Sequence, residues 1–269
     1  MCDEGEERGY GDFAAVYDLL TENVPYDEIA EYYAKILCKI TNGRRLLDMG
    51  CGTGNLTIRL AKRGFDAIGQ DASSEMLAIA AEKSNEVQWI CQDMVGTELG
   101  EEVDAVISTL DSINHLESAE EIAACFAGAA ANLKRGGAFV FDVNTIYKHR
   151  EILADNTFVY DVDGAYCVWQ NEFSPEDNGV SIDLDIFFEE EDGSYTRGGE
   201  SFREIALPVD EMRKMLEKSG FEVVEIYDYL TFNTPSESSE KLLFVTKKAL
   251  INTRNFGKNN KSVRSTARW

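Results

Sequence analysis

Basic charge is what this chain has least of for its size. In 269 residues, 26 Lys and Arg stand against 49 Asp and Glu, leaving a net charge of −23. Such a field repels nucleic-acid phosphates and anionic membranes and favours neutral or cationic ligands. Long apolar runs are missing too, so no segment reads as membrane-spanning, and the acidic start MCDEGEE is unlike a signal or transit peptide. The six cysteines (2, 38, 51, 91, 125, 167) include no C-x-x-C pair, which argues against a disulfide framework and for reduced thiols in a cytoplasmic protein. Cys51 and Cys91 are expected to be small buried fillers. A phosphate-binding G-x-x-x-x-G-K-[ST] string is absent, and so is the dinucleotide fingerprint G-x-G-x-x-G.

What is present is a different glycine turn. In RLLDMGCGTGNLTIRL, residues 45–60, an apolar run ends in Gly50, Gly52 and Gly54, and an amphipathic helical pattern follows. Glycines there let a strand turn sharply into a helix and let a ligand lie against bare backbone. The third glycine falls one place early for a dinucleotide site, with Asn55 in the last slot. Asp48, just ahead of the first glycine, would oppose a phosphate and suits a cationic ligand. Two more acids end strand-like runs: Asp71 after FDAIGQ and Asp93 after VQWICQ. An acid about 20 residues beyond such a turn can accept hydrogen bonds from ribose hydroxyls. Asp93, with apolar Met94 behind it, suits a purine amine, so the three acids sketch a phosphate-free adenosine carrying positive charge.

The segments LLDMGCGTGNLT, GQDASSEML and CQDM resemble the three cofactor motifs of class I S-adenosylmethionine-dependent methyltransferases. The resemblance spans roughly residues 10–145 and 206–248. It implies that Gly50, Gly52 and Gly54 approach the methionine part of S-adenosyl-L-methionine, with Asp48 near its amino group. Asp71 would hold the ribose beside Ala72 and Met76, and Asp93 the adenine beside Met94. Tyr17, Cys51 and Thr109 are further candidates at the same pocket, and no metal is implied. A proton acceptor, where the reaction needs one, is expected after the fourth strand, in TLDSINHL (109–116). His115, Asp111 and Asn114 are the candidates there, although His115 and Asn114 equally suit helix capping or backbone contacts.

Strand–helix alternation predicts an α/β, Rossmann-like sheet of seven strands, six parallel and the last antiparallel. A helix is expected over 120–133, with Lys134-Arg135-Gly136-Gly137 as its basic glycine stop. Asp142 and Asn144, ending the fifth strand, could orient an acceptor, as more weakly could Tyr147, His149 and Arg150. Residues 156–205 break the alternation: four β-rich runs are separated by Asp-Gly, Asp-Asn-Gly and Asp-Gly-Ser turns. The expected organisation is a cofactor domain over 1–152 and 206–249, with an inserted antiparallel β subdomain over 153–205. The aromatic leader (Tyr10, Phe13, Tyr17, Tyr26) either packs on the sheet or closes over the cofactor as a lid. In the insert, Tyr166, Trp169, Phe173 and Arg203 are candidate acceptor contacts. Residues 250–269, with five basic residues and no acid, read as a disordered tail.

The function these features imply is methyl transfer to nitrogen or oxygen of a small, neutral or cationic acceptor. An RNA or protein methyltransferase and a non-catalytic cofactor-binding regulator are the alternatives. Oligomeric state is left open.

Overall fold

The computed structural model describes residues 10–250, with side chains from Phe13 onward; the basic tail beyond Leu250 lies outside the described residues. Two helices lead, α1 (Tyr10–Leu20) and α2 (Tyr26–Ile40), separated at Pro25. Alternation follows: β1 (Arg45–Met49), α3 (Asn55–Lys62), β2 (Asp66–Asp71), α4 (Ser74–Lys83), β3 (Gln88–Cys91), β4 (Val103–Ser108), α5 (Ala119–Asn132) and β5 (Leu133–Asn144). The inserted strands are β6 (Thr157–Val162), β7 (Ala165–Ser174), β8 (Gly179–Glu189) and β9 (Tyr195–Glu204). Helix α6 (Val209–Lys218), β10 (Phe221–Asp228) and β11 (Lys241–Lys248) complete the chain.

The large sheet has the order β10-β11-β5-β4-β1-β2-β3. Strand β11 runs antiparallel to both neighbours, and the other pairings are parallel. This is the expected seven-stranded arrangement. Its central strands are apolar throughout because helices cover both faces. Leu47, Phe139, Phe141 and Phe244 face α5 and α6, while their neighbours Leu46, Val140 and Leu243 face α2 and α3. Phe141 and Phe244 stack at 5.0 Å between ring centres, anchoring β11 on β5. Strand order reverses at β1, and that leaves a crevice at the carboxyl ends of β1 and β4 where ligands bind in open α/β sheets.

The second sheet is a plain antiparallel meander, β6-β7-β8-β9. Its inner face (Cys167, Ile182, Leu184, Ile186) packs on Val16, with Phe13 and Leu20 against it. The two leader helices are thus divided: α1 belongs to the inserted sheet and α2 to the large one. Two sequence expectations need correction. The Lys134–Gly137 segment is not a helix stop, because Leu133 turns directly into extended backbone and β5 begins there. Cys91 is exposed rather than buried, since β3 is the edge strand. No helix among the described residues is long and apolar enough to cross a membrane.

Candidate active site

The glycine turn is held down by its neighbour strand. Backbone N–H groups of Gly50 and Cys51 both donate to the carbonyl of Gln70 on β2, at 2.8 and 2.9 Å. Gly50 has φ +73°, and a Cβ there would stand 2.8 Å from Ser112, so this position is closed to side chains. Gly52, with φ +54°, is open: a Cβ would meet nothing nearer than the Tyr17 ring at 4.0 Å. Its bare backbone therefore faces a cavity of about 450 Å³.

That cavity gathers most of the sequence candidates. Tyr17, Gly50, Cys51, Gly52, Asp71, Ala72, Met76, Asp93, Met94 and Thr109 line it, and so does His115. Asp71 also braces the turn: one carboxylate oxygen accepts from Gly52 N at 2.7 Å and the other from Ser73 N at 2.9 Å. Burial raises its pKa, and these N–H groups act in the opposite direction. Asp93 is exposed at the edge, where Oδ1 accepts from Val95 N at 2.8 Å. Gln70 shapes that loop from below, donating to the carbonyls of Gln92 and Asp93 and to Thr97 Oγ1.

Two candidates lie off the wall. Gly54 begins α3, and a Cβ there would collide with Trp89 at 2.4 Å. Asp48 is fully buried, with Oδ2 accepting from Thr57 Oγ1 at 2.6 Å and Oδ1 unpartnered. It sits behind the turn because β1 directs the side chain at 48 into the protein. Burial pushes its carboxyl up to about 7; the Thr57 hydroxyl opposes this, while Asp71 and Asp142 add to it. A folded pKa above the unfolded value means that the group's stabilising effect is full below about pH 4 and lost as pH rises through 7. We expect Asp48→Asn to remove roughly 4 kcal/mol of stability loss between pH 4 and pH 8. Urea unfolding of both proteins at the two pH values measures this, and parallel slopes would refute it.

The polar segment after β4 divides sharply. Leu110 and Asp111 both adopt left-handed backbone, φ 54° and 59°, a conformation that costs about 1–3 kcal/mol per residue. Asp142 at the end of β5 holds them there, accepting from Leu110 N and Asp111 N at 2.9 Å each and from the Tyr33 hydroxyl at 2.7 Å. Lys241 Nζ stands 3.0 Å from Asp111 and 3.3 Å from Asp142. Asp111 is therefore not a cavity group. Burial raises its pKa, but Lys241, Lys148 and His115 outweigh this and hold it well below the usual carboxylate range. Asn114 is likewise internal, donating to the carbonyls of Asn144 and Ile205 and accepting from Asn144 N.

The pinned turn delivers Ser112 and His115 to the cavity. His115 is 43% exposed, lies 4.9 Å from the Phe202 ring, and places Nε2 3.8 Å from Glu204. Asp142, Asn144 and His149 are buried: Asn144 donates to Asp111 and Glu204, and His149 meets the Asn178 carbonyl and Glu204. None of the three orients a ligand directly. Tyr147 and Arg150 are not on the cavity wall either. From the insert, Tyr166, Trp169, Phe173 and Arg203 also miss the cavity; Arg203 is instead paired with Asp177. Glu200 and Phe202, both on β9, take that position. The sequence signal was the alternation of β9, which puts 200, 202 and 204 on one face but does not say what that face meets. Gln92, whose buried Oε1 has no partner among the described residues, was also missed.

Residues 46–137 match the profile of a family described as a methyltransferase domain. A putative methyltransferase of Geobacillus sp. (strain WCH70) is 34% identical over 245 residues, covering 89% of this chain and 99% of that protein. The chain belongs to the class I S-adenosylmethionine-dependent methyltransferases. A solved S-adenosylmethionine-dependent methyltransferase from Clostridium acetobutylicum ATCC 824 superposes with a TM-score of 0.80 at 27% identity, over 89% of this chain and 99% of that one. A shorter match, 32% over 136 residues, is to the dTDP-3-amino-3,4,6-trideoxy-alpha-D-glucopyranose N,N-dimethyltransferase of Streptomyces venezuelae; it covers 49% of this chain and 56% of that protein.

The methyltransferase uses S-adenosyl-L-methionine, and its cavity suits that molecule. Bare backbone at Gly52 gives an extended ligand room to lie flat, and Gln92 offers an unpaired acceptor. No Lys or Arg among the described residues lines the cavity, as fits a phosphate-free cationic cofactor.

Proposed function

We propose that this methyltransferase acts on nitrogen or oxygen of a small-molecule acceptor. The observation that carries this is the lining of the cavity. Phe13 and Tyr17 of α1 and Glu200 and Phe202 of β9 line the space together with the glycine turn. Its volume falls within the range of small-molecule pockets, about 300–1,000 Å³. The large sheet, within 1–152 and 206–249, is then the cofactor domain; α1 and the insert over 153–205 form the lid and acceptor wall. The resemblance to an enzyme named for an amino-sugar substrate supports an amine acceptor. An RNA acceptor is disfavoured, because the cavity presents five carboxylates (Asp71, Asp93, Glu117, Glu121, Glu200) and no Lys or Arg among the described residues.

In this arrangement the Gly50–Gly52 backbone, Asp71 and Asp93 would hold the cofactor, with Gln92 and Met94 beside it. The bound cofactor supplies an electrophilic methyl group. The chain's part is to orient the acceptor, exclude water and manage the acceptor's proton. Asp48, buried behind the turn, acts through the loop. His115, following the strained turn beside Thr109, faces the acceptor space, where its imidazole can take or give a proton. Incubation with methyl-labelled S-adenosylmethionine and a cell extract, resolved into metabolites, RNA and protein, tests both points. Label should enter metabolites other than S-adenosylmethionine itself, and His115→Ala should slow that transfer about 10- to 100-fold. Label confined to RNA or protein would refute the acceptor class, and wild-type turnover in the variant would refute the role of His115.

A further inference from the structure

Strand β9 turns three alternate side chains toward the cavity side, and two of them have evident partners. Glu204 is buried and accepts from Asn144 at 2.8 Å, with His149 at 3.2 Å. Phe202 packs on His115 and, at 6.3 Å between ring centres, on Phe13. Glu200 is different. It lines the cavity, its Oε2 is shut off from solvent, and that atom has no hydrogen-bond partner among the described residues. A buried carboxylate oxygen left without a donor is unfavourable and rare in folded proteins. The cavity wall offers it no Lys or Arg. The carboxylate is free to take a donor from a ligand in the cavity.

We propose that Glu200 is the acceptor-binding carboxylate, pairing with the ammonium of an aliphatic amine and taking its proton before methyl transfer. The inference rests on the small-molecule reading above and narrows it to cationic amines. Phe13 and Phe202 supply apolar walls for the carbon skeleton, and the low polarity beside them strengthens the ion pair. Glu117 and Glu121, also on the cavity wall, draw cations and repel phosphates. Burial pushes the Glu200 carboxyl up to about 7, so it gains and loses a proton close to neutral pH. In the step itself, one N–H proton passes to Glu200 and its bonding pair stays on nitrogen as a lone pair. That lone pair forms the new N–C bond to the methyl carbon. The electrons of the old C–S bond remain on sulfur, which leaves as a neutral thioether. Glu200 returns its proton to water as the methylated ammonium departs.

The test uses the full chain, methyl-labelled S-adenosylmethionine and a metabolite extract divided on a cation exchanger at neutral pH. Label should appear in a retained, cationic species other than S-adenosylmethionine, which the exchanger also retains and which is resolved from it by mass. Glu200→Gln, nearly isosteric, should lower that rate about 100-fold, while its affinity for S-adenosylhomocysteine by calorimetry stays within twofold. Wild-type transfer by Glu200→Gln, or label only in unretained metabolites, overturns the assignment and leaves the small-molecule reading intact. Label only in RNA or protein overturns both.

Discussion

Asp71→Ala should bind S-adenosylhomocysteine about 100-fold more weakly than the parent chain. A carboxylate that accepts from two ribose hydroxyls contributes on the order of 3 kcal/mol, because each bond to a charged group is worth about 1.5–3 kcal/mol. From its place in the sequence, this loss is expected to weaken cofactor binding well before it affects folding. The structure says otherwise, since the same carboxylate accepts from Gly52 N and Ser73 N and so ties the glycine turn to the start of α4. Removing it should also lower stability by about 1–2 kcal/mol, as for loss of a helix cap. Asp93→Ala makes the contrast. Asp93 is exposed, and among the described residues its side chain accepts only from Val95 N, so affinity should fall about 10-fold with little change in melting. Calorimetry and thermal melts on the two variants separate these effects. Unchanged affinity in Asp71→Ala would remove the ribose assignment, and equal melting in both variants would remove the bracing role.

Lys241→Met should be the most destabilising single change near the site, by about 3–5 kcal/mol. Lys241 is 13% exposed and neutralises two carboxylates at once, Asp111 and the fully buried Asp142. Burial lowers its pKa, but those two acids outweigh this and raise it above the ordinary lysine value. Without the ammonium, Asp142 loses its cation and Asp111 keeps only Lys148 and His115, beside two left-handed residues that Asp142 holds in place. Melting should fall by about 10 °C, and turnover should fall with it as the turn bearing Thr109 and His115 loosens. The pH dependence carries a definite sign. In the parent, the depressed pKa of Asp111 means its stabilising effect is full above about pH 4 and lost as pH falls through the lowered value. In the variant that carboxyl has lost its main counter-charge, so the deficit should be greatest at neutral pH and narrow toward pH 4–5. A deficit independent of pH would show that packing, not charge, is what Lys241 supplies. Adding Asp111→Asn to Lys241→Met should recover part of the loss.

How much of this could be read from residues alone depended on the range of the interactions. The glycine turn is local: an apolar strand, three glycines and an amphipathic helix specify their own connection. Asp71 ends β2 and Asp93 lies two residues past β3, and parallel strands bring their carboxyl ends to one edge of the sheet. The four-stranded insert was equally plain, since Asp-Gly-type turns and period-two alternation encode a meander without reference to the rest of the chain. Asp111 was not legible for the opposite reason, while Asn114 makes the backbone contacts that were its alternative. Polar residues after β4 look alike in sequence whether they face a cavity or a buried ion network. Lys241, 130 residues away, decides which.

Sequence by itself determined the α/β order, the glycine turn and the acids at or just past the strand ends, because those follow from neighbours within a few residues. Tertiary structure alone decided that α1 packs on the inserted sheet, that Asp48 lies behind the turn, and that Glu200 rather than Tyr166 or Arg203 reaches the cavity. Alternation assigns a side chain to one face of a strand. What that face meets is set by the docking of one sheet on another, through contacts between residues far apart in the chain.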